Sequence, residues 1–466
     1  MTEYEMRNTD TICALATAPG GALGVIRISG PGAFSAVSSL CDVPCDSVAA
    51  NTVHYTRITT APAGEGNQRE VLDEVLLAVF RAPHSYTGED AVEIYCHGSR
   101  YIANKILELL LQSGCRMAQP GEYTMRAYLN GKMDLSQAEA VADLIASTNH
   151  ATHRLAMSQL RGGITSELAR LRQQLLRLTS LLELELDFSD HEDLEFADRT
   201  ELLQLAQTIE SHVARLARSF ETGKALKQGI PVAIVGKTNV GKSTLLNRLL
   251  NEERAIVSNI HGTTRDTIED TIDIQSVTFR FIDTAGIRQT TDTIEQIGIN
   301  RTYAAIDKAR IVLWIIDQAP TEAEQQDMAS RCESKSLIIV RNKCDIADSP
   351  LTPAAILIPH FTYLQLSAKF DTDISALEQI IYNAANIPSM EEADIIISNA
   401  RHYDALTRAQ QSLRHVIDGL QHQLSGDLIS EDLQQVLSEL AEITGDGQIT
   451  PNEVLGNIFQ HFCVGK

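Results

Sequence analysis

Apolar residues recur along this chain in three rhythms, and the changes of rhythm divide it. Up to about residue 120, short apolar runs alternate with turn residues. Gly24-Val25-Ile26-Arg27-Ile28-Ser29-Gly30 predicts a strand closed by a turn, 75–80 and 91–95 predict further strands, and 102–111 predicts a helix. From 121 the step becomes three and four residues. Ile164, Leu168, Leu171, Leu175, Leu178 and Leu182 follow it, as do Leu202, Leu205, Ile209, Val213, Leu216 and Phe220. Two long helices are expected, separated by an acidic stretch at 187–198 that reads as a solvated loop. A third rhythm starts at Gln228-Gly229. Candidate strands at 231–235, 277–283, 311–317, 337–340 and 363–366 alternate with helical stretches, as a parallel doubly wound sheet requires. It ends near Ile387-Pro388, after which Ala405, Ala409, Leu413, Ile417 and Leu420 line one face of a helix. The expected fold class is multidomain α/β. An α+β domain spans 1–120, a helical domain is built from 121–224 and 386–466, and a doubly wound domain at 225–385 is inserted into it.

Composition narrows the classes. The 466 residues are 44% hydrophobic and 21% charged, the balance of ordinary folded domains, and at about 150 residues each they allow two to four. The net charge of −22 rules out nucleic-acid binding through the overall field, so any RNA contact needs a local basic patch or a partner's surface. The start lacks the basic and apolar regions of a secretory leader, and apolar runs such as 311–316 are too short to span a bilayer. Eight cysteines are scattered without a CxxC pair and read as reduced thiols of a cytoplasmic protein.

The sharpest chemistry lies in the third region. Gly236-Lys237-Thr238-Asn239-Val240-Gly241-Lys242-Ser243 fits the P-loop pattern and sits between a predicted strand and a predicted helix at 244–250. The glycines let backbone N–H groups turn inward around phosphates, and the helix N-terminus adds its positive end. Asn239, Val240, Gly241, Lys242, Ser243 and Thr244 are the expected phosphate binders, with Lys242 reaching the β- and γ-phosphates and Ser243 a magnesium ligand. Asn342-Lys343-Cys344-Asp345, just past an apolar strand, resembles the guanine-specificity motif of GTPases. The Asp345 carboxylate can accept from two adjacent donors that guanine presents and adenine does not. Asn342 is expected to tie this loop to the P-loop, and the Lys343 stem to cover the base. Ser367-Ala368-Lys369 resembles the last GTPase motif, where a backbone N–H meets the guanine oxygen. GTP is the expected substrate rather than ATP.

Two switch elements lie between. Gly262-Thr263-Thr264-Arg265-Asp266 resembles switch I, with Thr264 as the second hydroxyl on magnesium, and Ser258, Asn259, Ile260 and His261 before it are expected to join Gly262, Thr263 and Thr264 in binding GTP. Asp283, Thr284, Ala285 and Gly286 resemble switch II. Where Ras-like proteins carry a water-orienting glutamine this chain has Ile287, which cannot align a water. Either hydrolysis waits for a partner or another polar residue orients the water.

Longer segments resemble one family. Asp283 through Ile299 is similar to switch II of the MnmE (TrmE) tRNA-modification GTPases. So are Asp10 through Gly30, Gln119 through Leu135, and the terminus Phe462-Cys463-Val464-Gly465-Lys466. The resemblance implies that Glu295 replaces the missing glutamine as a catalytic residue beside Lys242. It implies that potassium is held by Asn239, Ser258, Ile260 and Thr263 and supplies the charge of an arginine finger. It implies that the N-terminal domain binds 5-formyltetrahydrofolate through Arg27, Glu93, Lys132 and Lys466. Glu93 would accept from a pterin edge, and Arg27 or Lys132 would face the folate carboxylates. Cys463 is either a reactive thiol or a packed small side chain. The resemblance further implies a homodimer that joins the flavoprotein MnmG to modify C5 of the wobble uridine in certain tRNAs. The rivals are a ribosome-assembly GTPase and a stand-alone folate-dependent methyltransferase.

Overall fold

The computed structural model describes residues 10–60, 70–187, 199–251, 270–282, 295–346, 356–370, 373–387, 395–445, 458–459, 462 and 465, without the side chains of 184–187, 251 and 295–301. Two compact units emerge, one of Met1–Ile145, Gln159–Leu202 and Asp418–Lys466, the other of Ala146–Ser158 and Leu203–Ile417.

The first unit opens with β1 (Ile12–Leu15), β2 (Leu23–Ser29), α1 (Ala33–Ser38), β3 (Thr52–Thr60), β4 (Glu70–Phe80), β5 (Ala91–His97), α2 (Arg100–Gln112) and β6 (Arg116–Met117). The strands form one sheet in the order β3-β4-β5-β2-β1-β6, antiparallel except where β1 meets β6. Successive side chains point to opposite faces. Ile26, Ile28, Leu77, Val92 and Ile94 therefore share a face and pack against Phe34 and Val37 of α1 and Ile106 and Leu110 of α2. The alternate residues Arg27, Glu93 and Tyr95 fall on the other face, half-exposed. The sequence reading passed over β3, an edge strand whose Val53 and Tyr55 face solvent while Thr52 and His54 are partly buried, so its apolar and polar positions do not mark a core face.

Helices follow along the chain: α3 (Glu122–Leu129), α4 (Leu135–Ala146), α5 (His150–Leu160), α6 (Gly163–Asp187) and α7 (Arg199–Gln228), of which α5 and α7 belong mostly to the second unit. The six residues expected to form the inner stripe of α6 are all buried, each worth about 1.5–3 kcal/mol on leaving water.

The second unit contains β7 (Ile230–Val235), α8 (Lys242–Asn251), β8 (Asp270–Ile274), β9 (Val277–Ile282), α9 (Glu295–Lys308), β10 (Ile311–Ile316), α10 (Glu322–Arg331), β11 (Ser336–Arg341), β12 (Phe361–Gln365) and α11 (Ile374–Ala384). Sheet order is β12-β11-β10-β7-β9-β8. The pairings are parallel, as expected, except that β8 runs antiparallel to β9. The sequence reading missed β8. Its two-residue turn, Gln275 and Ser276, has φ of 50° and 66°, the left-handed backbone that joins twisted hairpin strands. β10 is buried on both faces, which explains its unbroken apolar run: Ile311, Leu313 and Ile315 enter one core and Val312, Trp314 and Ile316 the other.

Helices α12 (Ala400–Gln421) and α13 (Gly426–Thr444) come next along the chain. On α12 the buried face includes Val416, while Ile417, expected there, is half-buried, because Val416 lies seven residues from Ala409 on the same stripe. Helix α13 packs on α6 within the first unit. Among the described residues no helix is long and apolar enough to cross a membrane.

Candidate functional site

In the second unit, β7 ends at Val235 and α8 begins at Lys242, so residues 236–241 form the loop between strand and helix. Gly236 has φ 148° and lies so close to the Ile315 carbonyl that a Cβ would collide with it. Asn239 takes φ 65°, the left-handed region that asparagine tolerates better than most residues. The Lys242 ammonium donates to the Gly236 and Lys237 carbonyls, each at 2.6 Å, and burial pushes its pKa down. Ser243 and Thr244 follow in the first turn of α8.

Three separate segments meet here. Asn342, at the end of β11 and 4% exposed, donates from Nδ2 to the Val240 carbonyl at 2.8 Å. Its Oδ1 accepts from the Ala368 N–H at 3.0 Å. One side chain thus joins the P-loop, the 342–345 loop and the 367–369 loop. Lys343, at φ 61°, donates to the Asn239 carbonyl at 2.5 Å and pairs with Asp317 at 3.2 Å. The Ser367 hydroxyl donates to Asp345 Oδ1 at 2.5 Å and fixes the carboxylate's orientation. Lys369 adjoins Ala368 in that loop. The arrangement presents backbone N–H groups and an ammonium at one end and a held carboxylate at the other.

In the first unit, Arg27 on β2 and Glu93 on β5 stand directly opposite in register. The Arg27 guanidinium meets Glu93 Oε1 at 2.8 Å, and the Tyr95 hydroxyl donates to Oε2 at 2.7 Å. The Glu93 carboxylate in turn pushes the Tyr95 phenol's pKa up. Arg27 lies 5.5 Å from the Tyr86 ring and 5.6 Å from the Tyr123 ring, and reaches the Gly465 carbonyl at 3.4 Å. A pocket of about 70 Å³ opens beside it, lined also by Ser29, Phe80, Tyr86 and Thr87. Beneath the pocket, Ser29 donates to Glu89, and the buried Arg126 pairs with Glu89, Asp10 and Glu122. Arg116 binds Asp10 and Glu122 as well. Lys132 is exposed and donates to the Pro83 carbonyl at 2.8 Å, on the loop that carries Tyr86 and Thr87.

Several expected site residues lie outside the described residues: Ser258, Asn259, Ile260, His261, Gly262, Thr263, Thr264, Asp283, Thr284, Ala285, Gly286, Cys463 and Lys466. Glu295 opens α9, but its side chain is also outside them. Among the described residues no three His, Cys, Asp or Glu side chains cluster as a metal site. The sequence reading missed Asp317, the partner of Lys343, and the tyrosines around Arg27. The only sequence signal for Tyr95 was its place two residues after Glu93, on the same face of a strand.

Comparison with known proteins agrees with the long motifs. A model of the MnmE helical domain matches residues 135–463, and one of the GTP-binding protein TrmE N-terminus matches 11–132. The tRNA modification GTPase MnmE of Phocaeicola vulgatus is 54% identical over 499 aligned residues, covering 99% of this chain and 100% of that protein. Those of Parabacteroides distasonis and Bacteroides thetaiotaomicron are 54% and 53% identical, each over 98% of this chain and all of the relative. With both ends of the chain and its middle matched, the chain belongs to the MnmE (TrmE) family of tRNA modification GTPases.

Proposed function

We propose that this chain hydrolyses GTP and acts in the modification of tRNA. The observation that carries the reading is the Asn342 bridge, which draws the P-loop and both base-recognition loops into one site. Lys242 donates to two loop carbonyls; a triphosphate offers it stronger, charged acceptors. Asp345, oriented by Ser367, accepts from guanine, and a backbone N–H of the 367–369 loop donates to its oxygen, the Ala368 N–H being shared with Asn342. Ser243 and Thr264 would hold magnesium, which when bound neutralises charge on the phosphates. Potassium would be held by Asn239, Ser258, Ile260 and Thr263, and Glu295 would orient the attacking water. The left-handed backbone of Asn239 supports this by turning the residue out of the regular loop path.

The finer reading extends to the first unit. Its pocket takes the one-carbon donor, 5-formyltetrahydrofolate or a related folate. Because Arg27 and Glu93 touch each other, both serve the same end of the ligand. Glu93 accepts from the aminopyrimidinone edge while the Arg27 guanidinium, 2.8 Å from Oε1, fixes the carboxylate's position, leaving Lys132 and Lys466 for the acidic tail. At about 70 Å³ the pocket is smaller than the roughly 300–1,000 Å³ usual for ligand sites, so it fits that edge alone and the rest of the folate lies outside it. The flavin belongs to a partner, MnmG in this family, with which a homodimer of this chain modifies C5 of the wobble uridine. The domain limits 1–120, 121–224 with 386–466, and 225–385 are part of the same proposal.

The test is mass spectrometry of wobble uridines from a strain lacking the gene, with and without the wild-type chain or an Asp345→Asn variant. Wild type restores the C5 modification, and Asp345→Asn restores it only where xanthosine triphosphate replaces GTP in extracts. Unmodified uridines under every condition would refute the tRNA role, and full activity of Asp345→Asn with GTP would refute the base assignment.

A further inference from the structure

Arg248 sits on α8, the helix whose first turn carries Lys242 and Ser243, and a place on its second turn reads as a solvent position. The structure gives it a different role. Its Nε donates to the Ala368 carbonyl at 3.3 Å and a terminal nitrogen to the Lys369 carbonyl at 3.2 Å. A planar guanidinium thus bridges two consecutive carbonyls of the 367–369 loop. The same loop is also held by Asn342, which accepts from the Ala368 N–H, and it supplies the Ser367 hydroxyl that orients Asp345. Ser367 and Ala368 are 2% and 1% exposed, so the backbone being held is interior to the fold while the guanidinium is half-buried.

We infer that Arg248 is a positioning residue for base recognition: it clamps the 367–369 loop to the phosphate-binding helix and so fixes the distance and tilt between the two ends of the nucleotide site. The inference rests on the guanine reading proposed above. A backbone donor selects an oxygen only if the loop cannot swing, and Asp345 selects two adjacent donors only if its oxygens stay in plane. Asn342 and the Ser367 hydroxyl hold the loop toward the 342–345 segment, but neither ties it to α8. The Arg248 fork adds two bonds, to the Ala368 and Lys369 carbonyls, that link the loop directly to the phosphate-binding helix. Because the clamp runs from α8, any tilt of that helix when Lys242 engages phosphate is transmitted to the base loop.

The test uses the full chain with Arg248→Met, which keeps an apolar stem and removes the donors, and Arg248→Lys, which keeps charge and one donor head. Release of fluorescently labelled GDP and the ratio of GTP to ITP affinity are measured, since ITP lacks the amino group that Asp345 reads. Arg248→Met should release GDP about tenfold faster, the size of one or two lost hydrogen bonds. It should also lower the GTP-to-ITP ratio about threefold, and Arg248→Lys should recover part of both. A variant that loses affinity for GTP and ITP by the same factor, or that behaves as wild type, overturns the inference. Asp345→Asn runs alongside: if it leaves GTP preferred over xanthosine triphosphate, the guanine reading itself is wrong; if it switches preference while Arg248→Met does not move the ratio, only the clamp is wrong.

Discussion

Asn342→Ala removes the side chain on which the nucleotide site is assembled, and its effect can be worked from two bonds. The amide donates to the Val240 carbonyl at 2.8 Å and accepts from the Ala368 N–H at 3.0 Å. Val240 and Ala368 are 2% and 1% exposed, so water cannot readily replace the lost partner at either end. A buried backbone group left without a partner costs about 1–3 kcal/mol, so the two together cost about 2–4 kcal/mol after partial relaxation. A loss of 2 kcal/mol moves the melting of a unit this size by about 4–8 °C. The bridge also holds both base loops against the P-loop. If half the cost falls on the bound state, GDP affinity drops about five- to thirtyfold, at about 1.4 kcal/mol per factor of ten.

Asn342→Asp separates shape from chemistry. It has the same outline but sets an oxygen against the Val240 carbonyl, so it should bind GDP no better than the alanine variant. Calorimetric titration with GDP and thermal unfolding followed by circular dichroism give both numbers, and the relevant transition is the one that added GDP raises. The reasoning fails if Asn342→Ala binds GDP within about twofold of wild type and melts within about 1 °C of it, or if Asn342→Asp binds as wild type does.

Three further outcomes are expected. GTP turnover should be faster in potassium than in sodium buffer, and Glu295→Ala should lower it about a hundredfold or more with little change in nucleotide affinity; equal rates in the two salts refute the potassium assignment. Arg27→Ala leaves the Glu93 carboxylate with Tyr95 but without its guanidinium, and should weaken 5-formyltetrahydrofolate binding about tenfold by calorimetry while GTP hydrolysis is unaffected; unchanged affinity refutes the pocket. Burial pushes the Asp10 and Glu122 carboxyls up, but hydrogen bonds from Arg116 and Arg126 outweigh it and hold both below their ordinary values. With folded pKa values depressed, the stability they contribute is complete above the ordinary carboxylate range near about 4 and is lost as pH falls below it. Urea midpoints measured downward from about pH 5 should therefore drop steeply in wild type and less steeply in Arg126→Met, and parallel slopes would refute the linkage.

What could be seen in the sequence, and what could not, follows from how far apart the interacting groups lie along the chain. The P-loop is legible because its glycines, lysine and serine are contiguous and act through backbone that they shape themselves. The tie from Asn342 to the P-loop spans 102 residues, yet it could be anticipated because both ends belong to motifs with fixed places on a parallel sheet. Arg27 and Glu93 are 66 residues apart, and nothing in either segment reports that β2 and β5 pair in the register that sets them opposite each other. One residue of slip would put Arg27 and Glu93 on different faces. The resemblance could therefore name both residues while assigning them to opposite ends of one ligand. Arg248 was hidden for a related reason: on the helix alone it reads as a solvent cation, and only the return of the chain 120 residues later gives it two carbonyls to hold. Register and chain return, rather than residue chemistry, decide which charged groups in this protein are partners. Charged side chains that a linear reading leaves on the surface are therefore where further positioning roles should be sought, by asking which backbone carbonyls the fold brings to them.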